Sequence, residues 1–275
     1  MDRGPPAPSP RQIIQMTPDT ESNAGPARIG VVGPGRLGTA MAAALRQAGY
    51  QVDGPAGRGE QPSGEAILLC VPDAEIESAA TAIAGAAQFV GHTSGATPLS
   101  ALRPAQEAGA AAFGLHPLQT FPEAPEDAAA LFKGAGCAIA GASQEAVATA
   151  RTLAESLGMS PFELDDADRP AYHAAASMAS NFLVTLEAAA ERLAEGAGLE
   201  PSRSRRLLAP LVRRTVENWA ATGPEAALTG PVARGDVATV EAQREAVAAE
   251  APELLALFDE LVERTRALAR PEVTA

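Results

Sequence analysis

The sequence predicts an α/β domain built on a doubly wound parallel sheet, followed by an all-helical domain. In the first half of the 275-residue chain, short apolar runs alternate with Ala-rich segments of helical periodicity. Strands that alternate with helices are typical of a parallel sheet with helices on both faces. In the second half the strand signal ends, and only helical segments bounded by Gly and Pro follow.

The predicted elements divide the chain into a tail and two domains. Residues 1–26 contain six prolines among Ser, Thr, Asp and Gly, so we predict a disordered tail. We predict a sheet domain over 27–166 and a helical domain over 167–275. The predicted strands cover 29–32, 51–54, 66–71, 88–92, 111–115 and 137–140, and the predicted helices between them cover 36–48, 74–86, 98–108 and 143–157. In the second domain we predict helices over 168–194, 201–221, 236–250 and 252–269, and a proline at 210 should kink or split the second of these.

A glycine-rich motif directly follows the first predicted strand. Residues 33–38, GPGRLG, fit the pattern GxGxxG and open the next predicted helix. In this context the first Gly allows a tight turn, the second lets the backbone approach a pyrophosphate, and the third lets the helix pack on the strand. The unpaired N–H groups of the helix N-terminus favour an anion. The motif therefore predicts a Rossmann-type dinucleotide site formed by Gly33, Pro34, Gly35, Arg36, Leu37 and Gly38.

The region after the second predicted strand favours NADP over NAD. NAD sites usually place an acidic residue at the end of this strand, whereas an Arg suits a 2′-phosphate. Asp53 is predicted inside the strand, and Arg58 follows its end. We therefore predict NADP(H) as the cofactor, with Arg58 as the phosphate ligand; the alternative for Arg58 is an exposed loop residue.

The same region is too short to contain a strand that this kind of sheet usually has. The short link Gly59 to Gly64 and Glu65, seven residues in all, separate Arg58 from the next predicted strand, too few for a helix and another strand. We predict that the third strand is missing, that the second lies at the edge of the sheet, and that the adenine pocket is more open than usual.

Polar residues follow several predicted strands, at the edge where a doubly wound sheet binds its ligands. Val71 and Pro72 follow one strand and Thr93 and Ser94 follow the next, so all four are predicted cofactor contacts. The Thr93 and Ser94 hydroxyls could bond the nicotinamide ribose or carboxamide; equally, they could cap the following helix. His116 lies in a third such segment, and a neutral imidazole is suited to moving protons at cellular pH.

A polar stripe is predicted on the first helix of the second domain. His173, Ser177, Ser180 and Asn181 are spaced i, i+4, i+7 and i+8, so on one helix they share a face. Polar side chains are costly to bury without partners, so we predict that this face meets a ligand. We assign His173 as general acid and Asn181 as the group that orients the acceptor, with Ser177 and His116 as further catalytic candidates.

One Arg and one Asp stand in a Gly/Pro-rich connection between helices of the second domain. Arg234 could hold a substrate carboxylate in a bidentate contact. Asp236 is equally suited to capping the helix that follows it.

With these motifs in view, the chain resembles the large group that contains pyrroline-5-carboxylate reductase, the deazaflavin-dependent NADP reductases, ketopantoate reductase and the 3-hydroxyisobutyrate dehydrogenases. It is most similar to a branch that joins a Rossmann-like domain to a C-terminal helical domain of unassigned function. The segments that carry the resemblance are GPGRLG, AILLCVPD, HTSGA, GLHPLQTF, YHAAASMASN and LTGPVARGD.

The resemblance implies a cofactor class, an activity and an assembly. It implies an NADP(H)-dependent oxidoreductase that transfers a hydride to or from a small carbonyl or imine, with its site between the domains and a homodimer formed through the helical domain. In relatives of the hydroxyisobutyrate and ketopantoate types, a Lys and an Asn on the corresponding helix act on the substrate oxygen. Here His173 stands in place of the Lys, so their mechanism does not transfer unchanged.

Composition argues against several classes of partner. A formal net charge of −13 disfavours nucleic acid. We interpret the basic run Arg203, Arg205, Arg206, Arg213 and Arg214 as a solvated helix face. No apolar stretch reaches the roughly 20 residues of a membrane span, and the N-terminus lacks the pattern of a signal peptide, so we expect a cytoplasmic protein. Cys70 and Cys137 are expected to be buried as small apolar residues.

Two alternative functions stay open from the sequence. The missing strand and the absent Lys are compatible with a non-catalytic NADP(H)-binding module that senses redox state or binds a ligand. A metal-dependent enzyme would require His92, His116 and His173 to converge on zinc or iron, and no close HxH or HxxxH spacing supports that. We therefore predict no metal site.

Overall fold

The computed structural model describes residues 26–123 and 127–269, so all but the last residue of the predicted disordered tail lies outside the described residues. The chain divides into two compact units, Met1–Tyr172 and His173–Ala275. This division falls inside a helix, six residues beyond the domain boundary expected at 166. The domain assignment itself stays a prediction.

The first unit contains a seven-stranded sheet. Its strands are β1 (Arg28–Val32), β2 (Gln51–Ala56), β3 (Ala66–Leu69), β4 (Phe89–His92), β5 (Ala111–Pro117), β6 (Gly136–Gly141) and β7 (Ser160–Glu163), in the spatial order β2-β1-β3-β4-β5-β6-β7. The described residues between Ala56 and Ala66 form no helix or strand. The predicted absence of the third strand is confirmed, and β2 lies at the sheet edge.

Two features of the sheet differ from the prediction. Strand β6 runs antiparallel to β5, whereas the other neighbouring pairs are parallel. A parallel neighbour needs a long crossover connection, usually a helix that packs on the sheet, and only one five-residue helix is described between β5 and β6. Strand β7 was not predicted, because Ser160–Glu163 has neither an apolar run nor a clear alternation.

Helices cover both faces of the sheet. They are α1 (Arg36–Gln47), α2 (Ile76–Ala82), α3 (Arg103–Glu107), α4 (Ala128–Phe132), α5 (Gln144–Ser156) and the start of α6 (Arg169–Ala179). Strand residues alternate between two cores, as a pleated strand requires. Leu68 belongs to the core that includes α1 and α5 residues, whereas Ile67 and Leu69 belong to the core that includes α2 and α3 residues. The predicted α/β fold class is confirmed.

The second unit is helical throughout its described residues. Its further helices are α7 (Asn181–Gly196), α8 (Pro201–Thr222), α9 (Pro224–Ala227), α10 (Pro231–Arg234), α11 (Val237–Glu250) and α12 (Leu255–Ala269). Helix α8 continues through Pro210 without a break in assignment. Asp236 caps α11, since its carboxylate accepts a hydrogen bond from the Thr239 backbone N–H at 3.1 Å.

The single helix predicted over 168–194 was wrong. Helix α6 ends at Ala179, and α7 begins at Asn181, because Ser180 has φ −124° and ψ −73°, outside the α-helical region. The proposed stripe assumed one continuous helix. Only His173 and Ser177 stand one turn apart on the same helix, and Asn181 is the first residue of the next.

None of the helices in the described part of the chain has the length and apolar character that crossing a bilayer requires. Cys70 and Cys137 are buried free thiols, as expected. Burial raises the pKa of both thiols to about 12, so neither carries a reactive thiolate at neutral pH.

Candidate functional site

The glycine loop between β1 and α1 has the geometry that its motif predicts. Gly33 has φ +101°, and a Cβ there would lie 2.3 Å from the Cys70 carbonyl oxygen. A Cβ on Gly38 would lie 1.9 Å from the Gly33 carbonyl oxygen, so α1 packs closely under the loop. Around the Cβ position of Gly35 there is no atom within 4 Å. The first and third glycines are therefore needed for packing, and the second faces open space.

The N-terminus of α1 is suited to an anion. Gly35 provides no side-chain cap, and the first turn contains no acidic residue, so the helix dipole is not neutralised there. Arg36 in this turn is exposed and pairs with Glu123 at 2.9 Å. The N–H groups without a side-chain cap and the open space at Gly35 together form a cradle suited to an anion such as a pyrophosphate.

A cavity of about 330 Å³ extends from this loop, within the range of small-molecule sites. The segment after β2, the end of β3 and helix α2 form its other walls. Of the predicted cofactor residues, the structure brings together on this cavity Gly33, Pro34, Gly35, Arg58, Val71 and Pro72. Arg36, Leu37 and Gly38 belong to the first turn of α1, and Thr93 and Ser94 follow β4.

Three charged residues, Arg58, Glu60 and Glu75, also line the cavity. Arg58 pairs with Glu75 at 3.2 Å, with side chains 88% and 46% exposed. Glu60 also lines the cavity, and its carboxylate accepts the Gly57 N–H at 2.6 Å. Sequence reasoning found Arg58 but missed Glu60 and Glu75, because no local pattern distinguishes them from surface carboxylates.

Asp53, the acidic residue nearest the usual ribose position, is engaged elsewhere. Its carboxylate accepts hydrogen bonds from the backbone N–H and the hydroxyl of Ser63, at 2.8 and 2.9 Å. These two bonds lower the pKa of Asp53. Asp53 does not line the cavity, so among the described residues of the segment after β2 Arg58 is the cation that lines it.

The central strands are aligned at their carboxyl edge. Pairing places Val32, Leu69, His92 and Gly114 side by side across β1, β3, β4 and β5. Because these four strands are parallel, the residues that follow them lie along one edge, the ligand-binding edge of doubly wound sheets. The glycine loop, Val71, Ser94 and His116 therefore share this edge.

The polar residues after β4 are buried and already hydrogen-bonded. The Thr93 hydroxyl donates to the Leu69 carbonyl at 3.2 Å, and the Ser94 hydroxyl oxygen accepts the Ala96 and Thr97 N–H groups. Neither hydroxyl caps the following helix, whose N-cap residue is Pro98. Both serve the fold of their own loop, so a nicotinamide contact from this segment stays a prediction.

His92 is fully buried, and its Nδ1 lies 3.3 Å from the Ser94 backbone nitrogen, which donates to it. Burial first, and then the positive charge of Arg169, lowers the pKa of His92 to about 4. His92 is therefore neutral at cellular pH and supports the loop after β4.

His116 forms a pair with a residue that sequence reasoning missed. Its Nδ1 lies 2.7 Å from the Tyr172 hydroxyl, and the two rings meet edge to face with centroids 5.5 Å apart. Gly95 allows this placement, since a Cβ there would lie within 3.0 Å of the His116 ring. Phe162 packs against the Tyr172 ring, with the two ring centroids 5.8 Å apart. Burial raises the pKa of Tyr172 to about 12, so its hydroxyl keeps its proton.

A buried Arg lies behind this pair. The Arg169 side chain is 3% exposed; its Nε donates to Asp166 at 2.6 Å and its Nη1 to the Ser94 carbonyl at 3.4 Å. Gly114 makes room for it, since a Cβ there would lie 3.0 Å from Nη2. Asp166 also accepts the Leu99 N–H at 3.1 Å. The sequence offers no signal for Arg169, which stands in a charged segment that resembles a surface loop.

The predicted residues of the second unit lie on three different helices. His173 and Ser177 are on α6, Asn181 opens α7, and Arg234 is the last residue of α10. His173, Asn181 and Arg234 are exposed, and Ser177 is half-buried. Their catalytic and substrate roles stay predictions. Within residues 26–123 and 127–269, no three His, Cys, Asp or Glu side chains are placed to hold a metal ion.

Comparisons with known proteins agree with this architecture. Residues 135–265 match the family model described as a domain of unknown function, DUF2520. A comparison with curated proteins finds no match. Among solved structures, a candidate NADP oxidoreductase from Bacteroides fragilis is 21% identical with a TM-score of 0.71, over 87% of this chain and 98% of that one.

Two further structures share the fold. A Thermotoga maritima protein is 24% identical, with a TM-score of 0.70, over 89% of this chain and 99% of that one. The Plasmodium falciparum pyrroline carboxylate reductase, solved with NADP bound, is 12% identical with a TM-score of 0.56, over 88% and 98%. The chain therefore has the Rossmann-type fold with a helical C-terminal region of the wider oxidoreductase group that its motifs resemble.

Proposed function

We propose that this protein is an NADP(H)-dependent oxidoreductase that transfers a hydride to or from a small carbonyl or imine. The observation that carries the proposal is that the open cradle at Gly35 and the side chain of Arg58 line the same cavity. The backbone of residues 33–38 would hold the pyrophosphate, Val71 and Pro72 would line the adenosine side, and Arg58 would bind the 2′-phosphate.

A bound nicotinamide would supply the hydride, and the protein would position the substrate and manage the proton. His116, Thr93 and Ser94 lie on the carboxyl edge of the sheet that also carries the glycine loop. We propose substrate contacts for His173, Ser177, Asn181 and Arg234, whose polar groups can bond a carbonyl or a carboxylate. The NADP-bound pyrroline carboxylate reductase of the same fold supports this reaction class.

The second unit supports a homodimer. Among its described residues, the buried apolar side chains are few: Val240, Val247, Ala251 and Val262. Helices α7 and α8 leave large apolar side chains exposed, including Phe182 at 60%, Leu211 at 64% and Trp219 at 55%. Exposed apolar surface of this kind marks interaction sites. We propose that a second copy of the chain covers it.

The Gly35 cradle can be tested with a substitution that the fold tolerates. Gly35 has φ −72° and open space at its Cβ position, so Gly35→Val should fold with an unchanged melting temperature. Its side chain should fill the cradle and weaken NADPH binding by at least tenfold, as measured by calorimetry. Gly136→Ala, at a remote glycine whose Cβ would have only ordinary contacts of 3.6 Å or more, should bind NADPH as the wild type does.

Turnover separates catalysis from binding. NADPH oxidation should be followed at 340 nm with pyruvate, cyclohexanone and 1-pyrroline as probes of the keto acid, ketone and imine classes. Reduction of any probe supports the oxidoreductase. Tight NADPH binding with no turnover of any of them would instead favour the redox-sensing or ligand-binding module, and no binding of NADPH or NADH would contradict both.

A further inference from the structure

The pair formed by Tyr172 and His116 has the properties of a proton donor at the ligand-binding edge of the sheet. His116 stands two residues beyond Gly114, which pairs in register with His92. Through Leu69, this row continues to Val32, directly before the glycine loop. The Tyr172 hydroxyl is 2.7 Å from His116 Nδ1. The register therefore places this hydroxyl on the edge that carries the cofactor loop.

The surroundings of Tyr172 suit reversible proton loss. Burial keeps the hydroxyl protonated until a reacting atom removes the proton. The positive charge of Arg169 acts in the opposite direction and favours the phenolate, so it would stabilise the anion formed in the step. The Tyr172 ring is held between Phe162 and His116, and both contacts restrain its rotamer and position. A donor fixed in this way loses little entropy when it reacts.

We propose that Tyr172 donates the proton in the reduction, and that His116 is the positioning residue that holds its hydroxyl and restores its proton. The inference rests on the proposed function. A bound reduced nicotinamide would supply the hydride, and with it the two electrons that the carbonyl or imine gains. The Tyr172 O–H bond would break as a new bond to hydrogen forms on the substrate oxygen or nitrogen. The phenolate oxygen would then take a proton from His116, whose ring regains one from solvent.

This assignment differs from the one made from the sequence, which gave the proton to His173. Tyr172 and His173 are neighbours on α6, so their side chains leave the helix about 100° apart. The Tyr172 hydroxyl lies 2.7 Å from Nδ1 of His116, which belongs to β5. The two assignments therefore predict different variants to be inactive.

The first test needs no substrate. The chain has three histidines and two tyrosines, so long-range ¹H–¹⁵N spectra contain three imidazole systems, assignable with single His variants. Tyr172→Phe should shift the Nδ1 resonance of His116, and Tyr50→Phe, which removes the other tyrosine hydroxyl, should not. If Tyr172→Phe leaves the His116 resonances in place, the pair does not exist in solution and the proposal fails.

The second test measures turnover with whichever of the three carbonyl and imine probes the wild type reduces. Tyr172→Phe should lower kcat by about 10²–10⁴-fold, the usual contribution of a general acid, with the Kd for NADPH within twofold of wild type. Tyr50→Phe should be fully active. His116→Ala should lose activity, and His116→Asn, whose amide nitrogen replaces Nδ1, should recover part of it.

Each remaining outcome has a definite meaning. Wild-type protein that reduces no probe contradicts the proposed function and this inference with it. If wild type is active and Tyr172→Phe is equally active, the inference alone is contradicted. Loss of activity in His173→Ala would then support His173 as the proton donor. Equal activity of His116→Ala and wild type would remove His116 from the mechanism.

Discussion

Replacing Glu75 by Gln should strengthen NADPH binding and leave NADH binding nearly unchanged. In the structure Glu75 holds the guanidinium that we assign to the 2′-phosphate, at 3.2 Å. Because Arg58 is 88% exposed and Glu75 46% exposed, their ion pair contributes only about 0–1 kcal/mol. The 2′-phosphate, with nearly two negative charges, should therefore displace the Glu75 carboxylate from Arg58. The displaced carboxylate stays nearby and repels the phosphate.

The expected magnitude follows from these two contributions. Releasing Arg58 from the ion pair costs about 0.5 kcal/mol. With the phosphate at Arg58, the nearby Glu75 carboxylate would repel its nearly two charges by on the order of 1 kcal/mol in water before salt screening. Glu75→Gln removes both, so NADPH should bind about fivefold to tenfold more tightly. Arg58→Ala should act in the opposite direction and weaken NADPH binding by about 1–3 kcal/mol.

Calorimetry with NADPH and with NADH measures both affinities directly. Glu77→Gln is the matched control, because it makes the same charge change on α2 at a residue that does not line the cavity. The reasoning is refuted if Glu77→Gln tightens NADPH binding as much as Glu75→Gln does, or if Glu75→Gln weakens it. Equal losses for NADPH and NADH in Arg58→Ala would remove Arg58 from the phosphate site.

Three further predictions concern stability and assembly. Arg169→Met should lower the free energy of unfolding by about 1–3 kcal/mol in urea titrations, less than for a fully buried pair because the Asp166 side chain is 41% exposed; a change below about 0.5 kcal/mol would show that the pair is dispensable. Leu211→Asp should convert a dimer to a monomer in sedimentation experiments, and a wild-type monomer would contradict the assembly proposed for α7 and α8. The pKa of Asp53 is lowered in the folded protein by its bonds to Ser63, so its contribution to stability is present above about pH 4 and is lost as the pH falls through the lowered pKa. Urea titrations from pH 6 to pH 3 should therefore show wild type losing more stability than Asp53→Asn, and parallel curves would contradict this.

The parts of the fold that local sequence determines were predicted well. The glycine motif at 33–38 follows a strand and opens a helix; its first and third glycines are required by close packing, and the second faces open space. The missing strand followed from the length of the link alone, because seven residues cannot form a helix and a strand. Arg58 was found because its place relative to the motif is set by the lengths of α1 and β2.

The parts that depend on distant neighbours were not predicted. Tyr172 is a candidate site residue because its hydroxyl bonds His116, which stands 56 residues earlier in the chain. A tyrosine on a helix is ordinarily a core residue, so the sequence alone does not single it out. Arg169 is buried because Gly114 leaves space for it. The helix break at Ser180 involves no Gly or Pro, the residues from which a break is usually predicted. The antiparallel direction of β6 depends on the path of the chain between β5 and β6. No window of local sequence contains these facts.

Strand β2 is an edge strand of the sheet. An edge strand offers backbone groups to any passing β-strand. Here Arg46 on α1 donates hydrogen bonds to the carbonyl oxygens of Val52 and Gly54. Pro55 has no N–H to offer, and the carboxylate of Asp53 adds a charge to the same rim. With no third strand beyond β2, Arg46 therefore occupies two backbone acceptors that an added strand would need.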